Sequence, residues 1–154
     1  MAKTQLSKLL IGFSGEHYVA SRIGLLGYVP LMTSSISSRY PGSDILVLNF
    51  TNEKTIDVQV KTMTYRKKLD WYVPESVEEM KAIFVFNKIS EDKKSITSYV
   101  VRSEYVAAES KKQRDDYIAN RPNVKKKQPR MISESSLEDY REKWNLFQEI
   151  LENQ

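Results

Sequence analysis

The chain has no cysteine and only one histidine, His17, among its 154 residues. Without thiols it can form neither a disulfide nor a zinc–thiolate site, and one imidazole rules out a multi-histidine metal centre. No apolar run reaches the roughly 18 to 20 residues a membrane span requires. The short patch Leu9-Leu10-Ile11 is followed at once by Gly12, Ser14 and Glu16, so no signal peptide is expected. These absences fit a reducing, cytoplasmic setting. The charge excess is small, +4 overall with a pI near 9.1, which permits nucleic-acid binding without requiring it.

What is present reads as one globular domain over residues 1–154, since 40% hydrophobic and 29% charged content at this length supports a single core. A helix is expected from about Thr4 to Leu26, with Leu9, Phe13, Ala20 and Ile23 on one stripe and Val19 and Leu26 alongside, Gly27 at its C-terminal end and Pro30 beyond. A polar loop with a turn at Pro41-Gly42 leads to a strand over Ser43–Phe50. A turn at Asn52-Glu53 then returns the chain as a strand over Thr55–Thr62. Lys67–Val73 is expected to be extended, and Lys81–Asn87 and Ile96–Arg102 to be strands. Ser103 is the expected cap of a helix running to about Asn120, Pro122–Arg130 is a loop, and Ser136 caps a final helix bearing Leu137, Tyr140, Trp144, Phe147 and Leu151. Helix, a meander of strands, then two helices suggests an α/β or α+β layer structure, of which α/β, with a central mixed sheet flanked by helices, is the expectation.

The informative residues are polar ones where a core should be. Glu16 falls within the apolar stripe of the first helix, where a carboxylate is costly unless paired or metal-bound; at the stripe's edge it would simply reach solvent. Asp44 lies between a Pro-Gly turn and an apolar strand, and serves equally as a turn residue. In Ile56-Asp57-Val58-Gln59-Val60-Lys61 the alternation sends three polar side chains to one face and three β-branched ones to the other. That face is either solvated or the floor of a polar cleft.

Taken together these residues suit one chemistry. Phosphodiester hydrolysis uses a divalent cation held by oxygens to polarise the phosphate and acidify water. Asp44, the Gln59 side-chain oxygen, the Val60 carbonyl and Glu16 supply such oxygens. Lys61 is placed to orient the nucleophile or to offset charge on the phosphate. A hard cation such as magnesium fits this donor set.

Gly15-Glu16 in the first helix, Pro41-Gly42-Ser43-Asp44 entering a strand, and Gln59-Val60-Lys61 on the next strand resemble the PD-(D/E)XK nuclease superfamily, closely over about the first 60 positions. The resemblance implies a restriction-endonuclease-like core and magnesium-dependent cleavage of DNA, with manganese as a substitute and Glu16, Asp44, Gln59 and Lys61 as the catalytic set. Pro41 stands three residues before Asp44 rather than beside it. Gln59 occupies a position that is usually acidic, as in other glutamine variants of the superfamily, and Asp57 on the same face is a second source of negative charge.

Beyond Lys61, the run Tyr65-Arg66-Lys67-Lys68 is placed to hold phosphates or to be a solvated turn. Trp71 and Tyr72 are core or stacking residues. A second basic cluster, from Lys111 to Arg130, is either surface or a clamp on DNA. His17 is expected at the surface. A homodimer is compatible with the apolar last helix. The neutral Gln59 leaves open a catalytically inactive nuclease-fold module that binds nucleic acid or a protein partner.

Overall fold

A computed structural model describes residues 3–33, 43–121, 123–124 and 127–152. Helix α1 spans Lys3–Leu25. Strands follow at β1 (Val29–Met32), β2 (Ile45–Leu48), β3 (Thr55–Thr64), β4 (Asp70–Val73), β5 (Ala82–Ile89) and β6 (Ile96–Arg102). Helix α2 (Ser103–Ala119), β7 (Arg130–Ser133) and α3 (Asn145–Glu152) complete the order, with 3-10 helices at Glu75–Glu79 and Glu134–Tyr140. The class is α/β: a five-stranded mixed sheet in the order β1-β2-β3-β5-β6, flanked by helices, with a separate β4-β7 ribbon.

The β2–β3 hairpin is antiparallel as the alternation predicts, turning where Glu53 adopts φ 61°. The strands are not a simple meander. β3 and β5 are parallel, and β4 between them leaves the main sheet to pair with β7. Strand β1, unforeseen in the sequence, pairs antiparallel with β2 at the sheet edge, where Pro30 is tolerated because one side of the strand needs no donor. β7, also unforeseen, begins where the expected Pro122–Arg130 loop ends, and β4 supplies its pairing.

α1 closes with paired bonds from the Tyr28 amide to the Ile23 carbonyl and the Gly27 amide to the Gly24 carbonyl. Gly27 sits at φ 91°, a left-handed conformation that favours glycine. The expected stripe holds in the second half of the helix and fails in the first. Val19 and Ile23 are fully buried, whereas Leu9 and Phe13 are 59% and 58% exposed. The reason is at Gly15: a Cβ there would lie 1.8 Å from the Thr62 hydroxyl oxygen. The bare glycine lets α1 sit directly on β3, so the sheet-facing positions are 15, 19 and 23, spaced by four.

One core cluster lies between the sheet and α1 with α3, and includes Val19, Ile23, Val58, Val60, Val85 and Phe147. The other lies on the opposite face, built from Phe84, Phe86, Tyr99, Trp71, Val106 and Leu137. The expected final helix is divided between them. Leu137 and Tyr140 belong to a 3-10 helix in the second cluster, Glu142 turns at φ 52°, and α3 then carries Phe147 and Leu151 into the first. Ser136 therefore does not cap α3. Ser103 does not cap α2 either. Its hydroxyl donates to the Met80 carbonyl and accepts from the Ala82 amide, tying the helix start to β5.

Candidate functional site

β2 is shorter than β3, and the candidate site lies where it ends. The last β2–β3 backbone bond runs from the Asp44 amide to the Val58 carbonyl at 2.8 Å, and the Thr33 amide donates to the Asp44 carbonyl at 3.1 Å. Thr33 also donates its hydroxyl to the Ser43 carbonyl. With its backbone fixed on both sides, Asp44 turns its carboxylate along the open edge of β3. There Oδ2 accepts from the Val60 amide at 2.7 Å and from the Gln59 Nε2. The side chain thus replaces the backbone partner that a longer β2 would have supplied. The Val60 carbonyl leaves the same edge of the strand as its amide.

Burial pushes the Asp44 carboxyl above the usual aspartate range; the Val60 amide, the Lys61 ammonium and the Gln59 amide each pull the other way without prevailing. Burial outweighs the donors and the cation at this carboxylate. Gln59 is itself buried, and Lys61 half-buried.

Glu16 comes from the other side of the sheet. It follows Gly15, whose contact with Thr62 sets α1 over the end of β3, and it is half-buried. Val58 and Val60 face α1, so Gln59 and Lys61 project from the opposite face. Asp44 lies at the strand edge between the two sides. Hydrogen bonds join Asp44 to Gln59 and Val60, and the Lys61 ammonium acts on Asp44 electrostatically; Glu16 stands on α1, on the side of the sheet opposite Gln59 and Lys61. The Pro41-Gly42 turn lies outside the described residues. Asp57 shares the Gln59 face, and its Oδ1 is buried without a hydrogen-bond partner.

Among the described residues no group of three or more His, Cys, Asp or Glu side chains is arranged around a common ion position. The candidate donors are instead two carboxylates, one amide and one backbone carbonyl, an all-oxygen set of the kind hard cations take.

No family model, curated protein or solved structure matches the chain.

The polar cluster has support that the sequence reading overlooked. Thr62, Asn87 and Ser98 stand in register across β3, β5 and β6 on the α1 side. Ser98 donates to Asn87 Oδ1 at 2.7 Å, and Asn87 Nδ2 donates to Thr62 Oγ1 at 3.3 Å and to the Gly15 carbonyl at 3.5 Å. The Ser98 amide donates to Glu142, whose other carboxylate oxygen accepts from the Trp144 indole. The signal was available: Asn87 interrupts the apolar run Ala82–Ile89, and a wholly buried amide needs partners.

Of the other candidates, Tyr65, Arg66, Lys67 and Lys68 form an exposed loop directly after β3, anchored by the Tyr65 amide on the Ile89 carbonyl. Trp71 is core and Tyr72 is 66% exposed. His17 is at the surface, bonded to the Phe13 carbonyl and resting on the Phe13 ring. Trp144, Phe147 and Leu151 are core, which removes them as a dimer seam. No helix among the described residues is long and apolar enough to cross a membrane.

Proposed function

We propose that the chain is a divalent-metal-dependent endonuclease that hydrolyses DNA phosphodiester bonds with a PD-(D/E)XK-like site. The observation that carries this reading is the half-buried Asp44 carboxylate beside the start of β2, contacting Gln59 and Val60, with Lys61 next along the same strand.

The donor chemistry fits magnesium or manganese. Asp44 and Glu16 would supply charged oxygens and the Val60 carbonyl a neutral one. The Gln59 amide now presents nitrogen to Asp44; a half-turn of that amide exchanges nitrogen for oxygen. The cation, when bound, polarises the phosphate and acidifies an attacking water. Lys61 holds a positive charge beside Asp44, where it offsets charge developing on the phosphoryl oxygens or orients the nucleophile. The exposed Tyr65–Lys68 loop grips the phosphate backbone next to the scissile bond.

The test is incubation of purified protein with magnesium or manganese and linear, supercoiled, branched or single-stranded DNA. Cleavage is expected, with loss in Asp44→Ala and Lys61→Ala. If all four DNA forms survive, the enzymatic reading is lost.

A second reading is a nuclease-fold module that binds nucleic acid or a protein partner without cutting. The neutral Gln59, donating to Asp44 rather than adding negative charge, favours it. Calorimetric titration with manganese separates the two, because only the enzyme requires heat of binding that disappears in Asp44→Ala.

A further inference from the structure

The basic excess of the chain is concentrated. Residues 111–127 hold seven lysines and arginines against two aspartates, more than the +4 of the whole molecule. Most of that stretch is the C-terminal half of α2, which packs on β7. Between α2 and the β4–β7 ribbon lies a groove of about 680 Å³, separate from the Asp44 cluster.

Its floor is the outer face of the ribbon. Asp70 pairs with Ser133 and Tyr72 with Met131, and Asp70, Met131 and Ser133 line the groove. Tyr72 shares that face, so its exposed ring continues the floor. α2 supplies Gln113, Arg114 and Tyr117 as the wall. Tyr117 is 42% exposed, and the Arg121 guanidinium lies 4.4 Å from its ring centre. Lys68, at the end of the basic loop that follows β3, forms the rim. Seven residues of chain from Lys61 to Lys68 span at most about 25 Å, so this rim stands within a few nucleotides of the candidate cleavage site.

The lining is not a phosphate pocket, because Asp70, Glu109 and Asp116 would repel one, and Arg114 is already paired with Glu75. Carboxylates, serine hydroxyls and glutamine amides instead suit the donor and acceptor edges of bases, and exposed tyrosines offer surfaces for stacking. Phosphates would stay outside, near Lys68, Lys111, Lys112 and Arg121. Duplex DNA shows base edges in its grooves but keeps base faces stacked on one another, so only an unpaired strand can offer faces to the tyrosines as well.

We propose that the α2/β4–β7 groove binds a single-stranded segment of nucleic acid, with Tyr72 and Tyr117 stacking on bases and the surrounding lysines and arginines following the backbone. This rests on the nuclease reading for its purpose: the groove would hold the unpaired arm of a substrate whose junction lies at the Asp44 cluster.

The test is fluorescence anisotropy with a labelled 12-nucleotide oligo(dC), in chelator and at low salt so that no cleavage intervenes. Wild type should bind. Tyr72→Ala and Tyr117→Ala should each weaken binding about tenfold, since stacking contributes roughly that much per base, and the double variant more. Both rings are exposed, so the variants should fold, which circular dichroism checks. Asp44→Ala should bind as wild type does. Unchanged affinity in both tyrosine variants, or equal competition by a duplex of the same length, overturns the proposal. If DNA is never cut but the tyrosine-dependent binding persists, the nuclease reading fails while the groove stands.

Discussion

Strand β3 has two halves in different circumstances. From Thr55 to Val58 it pairs with β2, and at Asp57 and Val58 with β5 as well, so its backbone there is met by neighbouring strands. From Val60 to Thr64 it has only β5 on one side, and its other edge is met by the Asp44 carboxylate, with Gly15 of α1 pressed on its helix-facing side. The first half is scaffold. The second brings backbone oxygen, a half-buried carboxylate and an ammonium to one place, because a strand that stops short leaves polar groups that side chains must satisfy. A reactive site can be built at little cost to the core where regular pairing ends.

The largest effect expected from disturbing this contrast is on activity. Asp44→Ala or Lys61→Ala should lower DNA cleavage at least about 100-fold, read in a plasmid-nicking assay, while Asp57→Asn, in the fully paired half, should lower it much less. Equal losses in all three would erase the distinction between the halves. Chelation of the divalent ion should stop cleavage completely and restore none of it until magnesium or manganese is returned.

Next in size is the helix contact. Gly15→Val puts a branched side chain where even a Cβ meets Thr62 at 1.8 Å. Overpacking of this kind costs about 1–3 kcal/mol, measurable by urea denaturation, and Thr62→Gly should recover part of it. No recovery would mean that α1 is not held at that point.

Ser98→Ala removes a donor from the buried Asn87 Oδ1, at about 1–3 kcal/mol. Asn87 in turn contacts both Thr62 and the Gly15 carbonyl, so cleavage should fall along with stability. If stability drops and cleavage per folded molecule does not, the polar row supports the fold alone.

The smallest effect concerns the Asp44 charge. An acid whose folded pKa is raised stabilises the fold at pH below its unfolded value and loses that contribution as pH rises through the folded one. At neutral pH the ionised Asp44 is therefore a burden. Asp44→Asn should raise the melting temperature slightly at pH 7 and by progressively less toward pH 4. Cation affinity should fall with acidity, beginning above the ordinary aspartate range because protons compete for the same oxygen. A melting temperature unchanged at pH 7, or an affinity flat down to that range, would show that burial does not control this group.

Much of the site's composition could be read from residue order. The alternation in Ile56–Lys61 put Gln59 and Lys61 on one face because strand side chains alternate whatever surrounds them, and the turn at Asn52-Glu53 made the hairpin bring Asp44 near Val58. The position of Glu16 relative to that face could not be read. It depends on α1 lying over β3 at Gly15, a close approach that glycine permits and only packing selects. Leu9 and Phe13 were misassigned for the same reason: several apolar stripes can be drawn on α1, and the sheet buries only one.

The chain's own order of residues determined the α/β class, the β2–β3 hairpin, most strand positions and the polar face of β3, since these follow from local periodicity and turn chemistry. Tertiary structure decided the parallel β3–β5 pairing, the recruitment of β1 and β7, the division of the C-terminal apolar run between two cores, and the edge where Asp44 meets Val60. Each of those needs groups distant in sequence to satisfy one another's hydrogen bonds or apolar surface, and no local pattern encodes which partner will arrive.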